Sequence, residues 1–432
     1  MTPRHVIVPP LTLAGFGLTC LVFYPGVETF DARYVYLAIK GGAGDWQSPV
    51  MTALWGLIDP LAPGATSMFL LIAAGYWLGF GILALALARD ALWPALLLLA
   101  LAASPPAFVL SGVIWRDVLF AVSWLLAAAL AFSVASAPSR TPWLALVPAL
   151  ILVCFGVLLR PNALVAAPLL LLYVLDPAQV RVKRILLASV PLMIGCYGLV
   201  QATYYNVLHA KREYPLHSLL VYDLGGITHF TRQNQFPVEW TPEQTALLTD
   251  ACYKPTYWDI YWIHEPCKFV MTRLERADDK VFGTSRLPEA WLKAVAAHPI
   301  AYLMHRGAFL WQLMARQNLV LWVVDVDNPK EIANRDRPAF MAFKALHDRL
   351  LDTYIFRAGW WVLICAGLAA AAWWKRETVQ GAFVFHVCGS AFAYAASYFV
   401  FGVASDYRYT YWCVLAAMAG GAVFASSRAS RA

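Results

Sequence analysis

The chain has 432 residues, of which 60% are hydrophobic and only 14% charged, and its formal net charge is +7. A water-soluble domain of this size carries roughly 25% charged residues, so the composition excludes a soluble globular enzyme and points to a polytopic membrane protein. The basic excess does not mark a nucleic-acid binder, because Lys and Arg lie in short segments between apolar runs, where they set orientation.

The opening segment, MTPRHVIVPPLTLAGFGLTCLVFYPG, has the basic start and apolar run of a signal peptide. It lacks a small-x-small cleavage site in the right place and is read as a retained first span over 7–25. Further runs long enough to cross a ~30 Å hydrocarbon core lie at 66–88, 92–111, 118–137, 142–159, 163–176, 185–206, 355–374, 381–402 and 409–426. The expected fold is an all-α polytopic membrane protein with about ten transmembrane helices. It divides into an N-terminal transmembrane module (1–206, with a first outer loop at 26–65), an extracytoplasmic loop domain (207–354) and three C-terminal helices (355–432). The 18 Trp and 20 Tyr suit a molecule with much interfacial surface.

Basic residues fix the sidedness. Arg4, Arg89, Arg140, Arg181, Lys183, Arg184, Lys375, Arg376, Arg428 and Arg431 fall on one side, against Arg33, Lys40, Arg116, Arg160 and Arg408 in the short segments of the other. The richer side is cytoplasmic by the positive-inside rule, which puts both termini inside and 26–65 and 207–354 outside. The run at 298–324 carries His305, Arg306 and Arg316, each costly in lipid, so it is expected as an amphipathic helix on the outer face rather than a span.

Six of the eight cysteines lie in apolar runs, as small core residues do. Cys252 and Cys267 flank YKPTYWDIYWIHEP in the outer domain. An oxidising compartment favours a disulfide between them; a zinc site with His264 is the alternative, although two Cys and one His leave the ligand set incomplete.

Four polar clusters sit at predicted membrane ends, all on the outer side. Asp31 and Arg33 follow the first span; Trp115, Arg116 and Asp117 lie in LSGVIWRDVLF; Arg160 and Asn162 in VLLRPNALV; Asp406, Arg408 and Tyr409 in FGVASDYRYTYW. Ionisable groups at bilayer depth usually face a cavity, so one shared polar cavity is expected. Arg offers a planar fork of donors suited to phosphate, and Asp31 offers a carboxylate to take a proton. Each cluster also has a structural alternative: Arg116 and Asp117 as packing ion pairs, Arg160 as a snorkelling loop charge, Arg408 with Asp406 as a local pair, Asp31 as a helix cap. In DWQSPVMTALWGLI, Ser48 and Pro49 make an N-cap and first-turn pair, which predicts a short surface helix from Pro49. His386 is read as a core hydrogen-bonder.

An Asp just past the first span, followed by an interfacial helix and many further spans, resembles the GT-C glycosyltransferases. GDWQSPVMTALWGLI, GVIWRDVLF, LRPNALVAAPLLLLY and SDYRYTYW resemble segments of their bacterial family-39-like branch. The likeness covers most of the spans and is weak over 207–354. It implies an inverting transferase of the cell envelope. Such an enzyme moves a sugar from a polyprenyl-phosphate or pyrophosphate carrier to a lipid, glycan or protein hydroxyl, on the outer face of a bacterial inner (plasma) membrane. By motif position Asp31 is the general base, Arg160 and Arg408 the first candidates for the donor phosphate, and Arg116 the third. Tyr34, Asp45, Trp46 and Gln47 line the sugar or acceptor site, with Trp115, Asp117, Asn162, Asp406 and Tyr409 around it. Many members carry two adjacent acids in the first loop; here Ala32 follows Asp31 and the second acid is Asp45, so a divalent metal has no clear motif.

Two other readings fit parts of the pattern. An O-antigen polymerase or ligase would rely on outer-domain Arg and His such as His305 and Arg306. A flippase or transporter would place charges near the midplane and show paired halves, and the sequence displays neither.

Overall fold

The computed structural model describes residues 3–137, 140–276, 278–316 and 337–429. Among them the chain is helical almost throughout; the one sheet is a two-stranded parallel pair, β1 (Val27–Glu28) with β2 (Val113–Ile114). Six helices are long and apolar enough to cross a membrane. With the shorter apolar helices they give the fold of a polytopic membrane protein.

The membrane module is α1 (Pro3–Phe23), α2 (Phe30–Gly41), α3 (Pro49–Ile58), α4 (Ala65–Leu87), α5 (Leu92–Ala102), α6 (Pro105–Phe108), α7 (Arg116–Ala135), α8 (Trp143–Leu159), α9 (Ala167–Leu175) and α10 (Val182–Gln201). The segment after α10, called the outer domain for its expected side, holds α11 (Pro215–Thr231), α12 (Pro242–Asp250), α13 (Phe269–Leu274), α14 (Arg286–Ala297), α15 (Pro299–Trp311) and α16 (Pro338–Leu350). The chain returns through α17 (Ala358–Trp373), α18 (Val379–Phe401) and α19 (Tyr411–Ala429).

Each predicted apolar run contains a helix, but two are shorter than their runs. The run at 92–111 breaks at Ala102 because Pro105 and Pro106 supply no N–H to continue the ladder and start a separate turn. The run at 163–176 is helical only over Ala167–Leu175, after a 3₁₀ turn that begins at Pro161. Helices α4, α7 and α8 pack in series, and α17, α18 and α19 form a second group joined to the first through α5 and α7. Without a hydrophobic drive between helices in lipid, close approach depends on small residues. A Cβ on Gly15 of α1 would stand 2.3 Å from the Trp77 ring of α4, and one on Gly156 of α8 would stand 2.1 Å from Trp124 of α7.

The sheet pair, although only two residues long, positions the site. Its register, Val27 with Val113 and Glu28 with Ile114, lays the chain leaving α1 beside the chain entering α7. Thr29 then caps α2, its hydroxyl accepting from the Ala32 N–H, and Asp31 falls in the first turn. Ser48 caps α3 through the Met51 N–H and donates to the Leu158 carbonyl at 3.0 Å, tying the first outer loop to the end of α8.

The amphipathic helix expected over 298–324 is realised as α15 and a π turn, Gln312–Arg316; residues 317–324 lie outside the described residues. Its polarity is the reverse of a helix lying on a watery surface. Ile300, Leu303, Met304 and Trp311 are exposed, whereas His305 and Arg306 are fully buried.

Candidate active site

A cavity of about 780 Å³ opens where the segment between α1 and α4, the Arg116 end of α7, the Arg160 end of α8, the Phe401 end of α18 and the segments after α10 meet. It collects all four polar clusters singled out in the sequence. Asp31, Asp45, Trp46, Gln47, Arg116, Asp117, Arg160, Asn162, Asp406, Arg408 and Tyr409 all line it.

Each charge arrives there for a local reason. Arg116 and Asp117 occupy the first turn of α7. Arg160 ends α8 in an extended conformation (φ −134°, ψ 90°) because Pro161 disfavours helical geometry in the residue before it. Asp406 caps the 3₁₀ turn Tyr407–Thr410 by accepting from the Arg408 N–H at 3.0 Å, which turns the Arg408 side chain inward.

The network is dense. Arg408 Nη1 meets Asp31 Oδ2 at 2.5 Å, its Nε lies 3.3 Å from Asp406, and Nη2 donates to the Tyr409 hydroxyl at 3.3 Å. Its guanidinium stacks 4.5 Å from the Trp115 ring. Arg160 pairs with Asp117, donates to the Tyr398 hydroxyl at 3.3 Å and lies 4.8 Å from the Tyr409 ring. Arg116 donates to the Trp46 carbonyl at 3.1 Å and makes no close ion pair among the described residues. The packing ion pair expected as the alternative for Asp117 and the local pair of Arg408 with Asp406 are therefore real contacts, Arg160 is buried in the first of them rather than snorkelling from a loop, and Arg116 is left as the guanidinium most available to an incoming anion. That order differs from the one the motifs imply, in which Arg160 and Arg408 come first.

Asp31 keeps a 32% exposed side chain. Its Oδ1 accepts from Gln47 Nε2 at 3.2 Å. Burial pushes its pKa up, but the charges of Arg408, Arg116 and Arg160 outweigh burial and hold the carboxyl below the usual carboxylate range. Asp406 runs the other way: burial lifts it, and Arg408 compensates only in part.

Three expected lining residues take other roles. Tyr34 is not among the cavity residues; its hydroxyl donates to Glu213 at 2.9 Å, and burial followed by that carboxylate pushes its pKa to about 12. Trp115 is 7% exposed and lies behind Arg408 rather than on the cavity wall. Asp45 reaches the wall, but both oxygens are occupied. Oδ2 accepts from the Tyr205 hydroxyl at 2.7 Å and Oδ1 from the Glu213 N–H at 2.6 Å. Glu213 in turn accepts from the Trp46 N–H at 3.0 Å, so the two acids clasp the first outer loop to the segment after α10. Among the described residues no group of three or more His, Cys, Asp or Glu is placed to hold a metal ion.

Sequence reasoning missed several residues of the wall: Tyr204, Trp258, Asp259, His264 and Tyr398. Tyr398 sits within an apolar span and carries no local signal. Trp258, Asp259 and His264 lie in the stretch between Cys252 and Cys267, which are joined by a disulfide. His386 Nδ1 donates to the Ala382 carbonyl at 2.8 Å within α18, away from the cavity.

The outer-domain pair His305 and Arg306 does not reach the cavity. Asp223 of α11 receives Arg306, lies 3.1 Å from His305 Nε2 and accepts from Trp291 at 2.7 Å, with all three ionisable side chains fully buried. Arg306 also donates to the Gly402 carbonyl at 2.6 Å, which docks the outer domain on the end of α18.

Comparison with protein-family models, curated proteins and solved structures returns no match.

Proposed function

We propose that the protein is a membrane glycosyltransferase of GT-C type. It moves a sugar, with inversion, from a polyprenyl-phosphate-type carrier to a lipid, glycan or protein hydroxyl on the outer face of a bacterial inner membrane. About ten segments cross and both termini are cytoplasmic; α8 and α17 are shorter crossings, and α5 continued by α6, and α9 with the 3₁₀ turn from Pro161 before it, complete the set. The observation that carries the reading is the convergence of four sequence-distant charge clusters, at Asp31, Arg116, Arg160 and Arg408, on one cavity at the ends of apolar helices.

The chemistry follows from the parts. Asp31 takes the proton of the acceptor hydroxyl, whose oxygen attacks the anomeric carbon from the face opposite the phosphate. The bond from that carbon to the phosphate oxygen breaks, and the carrier phosphate leaves with the electron pair. Arg116 meets the developing charge, which is the kind of preorganised electrostatic stabilisation that contributes most in such sites. Arg408 is shared: a donor phosphate that drew it away would relieve Asp31 of its strongest counter-charge and raise its basicity when both substrates are bound. A base contributes about 10²–10⁴-fold. The polymerase or ligase reading loses support, because His305 and Arg306 are fully buried, away from the cavity, and paired with Asp223 and the Gly402 carbonyl.

The test is sugar transfer in membranes carrying wild type or Asp31→Asn, with a radiolabelled polyprenyl-phosphate sugar and donor binding measured in parallel. Retained binding without transfer supports the reading. Transfer near the wild-type rate overturns it.

A further inference from the structure

Between Cys252 and Cys267 the outer domain carries a loop that is fastened to the chain leading to Arg408. The Trp258 N–H donates to the Val403 carbonyl at 2.8 Å and the Ser405 N–H to the Thr256 carbonyl at 2.6 Å. The disulfide closes the loop, so its side chains are held in register with Asp406 and Arg408. Two of them, Trp258 and Trp262, are parallel indoles with centroids 5.7 Å apart at an interplanar angle of 11°. Trp46 of the first outer loop completes the set, 5.6 Å from Trp258 and 5.7 Å from Trp262.

The three rings differ in access in an ordered way. Trp46 and Trp258 line the cavity. Trp262 is 41% exposed and continues the set to the outer surface. Polar groups accompany the rings: Gln47, Asp259 and His264 line the same wall. The Asp259 carboxyl makes no close ion pair among the described residues, and burial shifts it upward, toward a state that donates as well as accepts.

We infer that Trp46, Trp258 and Trp262 form a saccharide-binding face that runs from the outer surface into the cavity and takes a pyranose ring of the acceptor. The inference rests on the transferase reading above and narrows its acceptor to a glycan. Indole faces are electron-rich, and the C–H bonds on one face of a pyranose are weakly positive, so the ring stacks while its rim hydroxyls bond to carboxyl and amide groups. A protein acceptor would call for a strand edge or an apolar groove, and a plain lipid would not need Asp259 and Gln47 beside the rings. Anchoring in the membrane interface is the other use of exposed Trp, and it does not account for the two rings turned into the cavity. The sugar of the donor has the same chemistry, so the test separates the two sources.

The full-length protein in nanodiscs is titrated with maltotriose and with chitotriose, and separately with a short-chain prenyl-phosphate glucose, using saturation-transfer NMR to read contact with the sugar protons. Trp262→Ala is the main variant because its side chain, 41% exposed, lies outside the buried core; Trp262→Phe keeps a stacking face. The expected result is trisaccharide contact in wild type, weakened roughly three- to tenfold in Trp262→Ala and restored in large part by Trp262→Phe, with donor contact unchanged. Weakening confined to the prenyl-phosphate glucose keeps the saccharide face and assigns it to the donor, overturning the acceptor assignment. Equal trisaccharide contact in wild type and Trp262→Ala, no trisaccharide contact at all, or a change only in nanodisc association overturns the face itself. Failure of the parent reading looks different: transfer then survives Asp31→Asn whatever Trp262 does.

Discussion

Among the described residues two ionic clusters are buried, one at the cavity wall and one between α11 and α15. Both join acids to arginines that lie far apart in sequence. The inner cluster, Asp223 with His305 and Arg306, has no exposed ionisable side chain, and its charges are met by each other, by Trp291 and by the Gly402 carbonyl. The wall cluster leaves Asp31 and Asp406 about one-third exposed (32% and 28%) and leaves Arg116, among the described residues, with a hydrogen bond to a carbonyl and no close ion pair. The inner cluster pairs its charges with one another and fastens one element to another. The wall cluster has a guanidinium without a close ion pair among the described residues and a partly exposed carboxylate, beside a cavity for something to bind in. Buried charge alone does not mark a reactive site; incomplete pairing beside open volume does.

The sharpest way to break this contrast is to remove one acid from each. Asp31→Asn is expected to cut transfer by about 10²–10⁴-fold while the protein keeps its thermal stability, since the position is partly exposed. Asp223→Asn is expected to do the reverse. It leaves Arg306 buried against a neutral partner and costs about 3–5 kcal/mol, read as a lowered unfolding midpoint in detergent. Replacing Asp223 and Arg306 together with Leu and Met is expected to restore much of that loss. If Asp223→Asn unfolds no earlier than wild type, the inner cluster is not the fastening described here.

How much of this was legible beforehand follows from the range of each interaction. The apolar runs are local signals, and each contains a helix; their breaks at Pro105 and Pro161 were written in the sequence but underweighted. Positive charge at span ends singled out Arg116, Arg160 and Arg408, because a charge at bilayer depth has few bland uses. The pairing of those charges could not be read, since Arg160 finds Asp117 across a helix pair and Arg408 finds Asp31 across nearly the whole chain. The roles of Asp45 and Tyr34 were hidden for the same reason: both answer to Glu213, a residue in a different segment. The burial of His305 and Arg306 in α15 was hidden too, because their partners, Asp223 and the Gly402 carbonyl, lie in distant segments.

Within the wall cluster the guanidinium groups are expected to separate by pairing. Arg116→Gln removes a charge bonded only to a carbonyl, so the fold is kept and donor binding weakens by about 10–100-fold, the equivalent of one charge-assisted hydrogen bond of about 1.5–3 kcal/mol. Arg160→Gln strands Asp117 and is expected to lower stability as well. Isothermal titration with a short-chain prenyl-phosphate sugar, run beside a melting curve, distinguishes the two. Equal loss of stability in both variants would remove the distinction.

The smallest effect concerns pH. Asp31 is held below the usual carboxylate range by Arg408 first among its neighbours, against the upward push of burial. A base must be deprotonated to act, so transfer should fall only when pH drops through that lowered value. In Arg408→Gln the strongest counter-charge is gone and burial remains, so the Asp31 pKa rises and the acid limb of the transfer rate moves to higher pH. The direction is fixed by the sign of the charge removed: losing a cation favours the neutral carboxyl. Arg408→Lys keeps the charge without the planar fork and should leave the limb nearer its wild-type place while still slowing transfer. The profile is measured as rate against pH at saturating donor, so that weaker phosphate binding does not enter. An acid limb that stays put in Arg408→Gln, or moves to lower pH, would mean that the titrating base is a different group from Asp31, and Asp406, whose own carboxyl is lifted by burial and restrained by the same arginine, would be the residue to replace next.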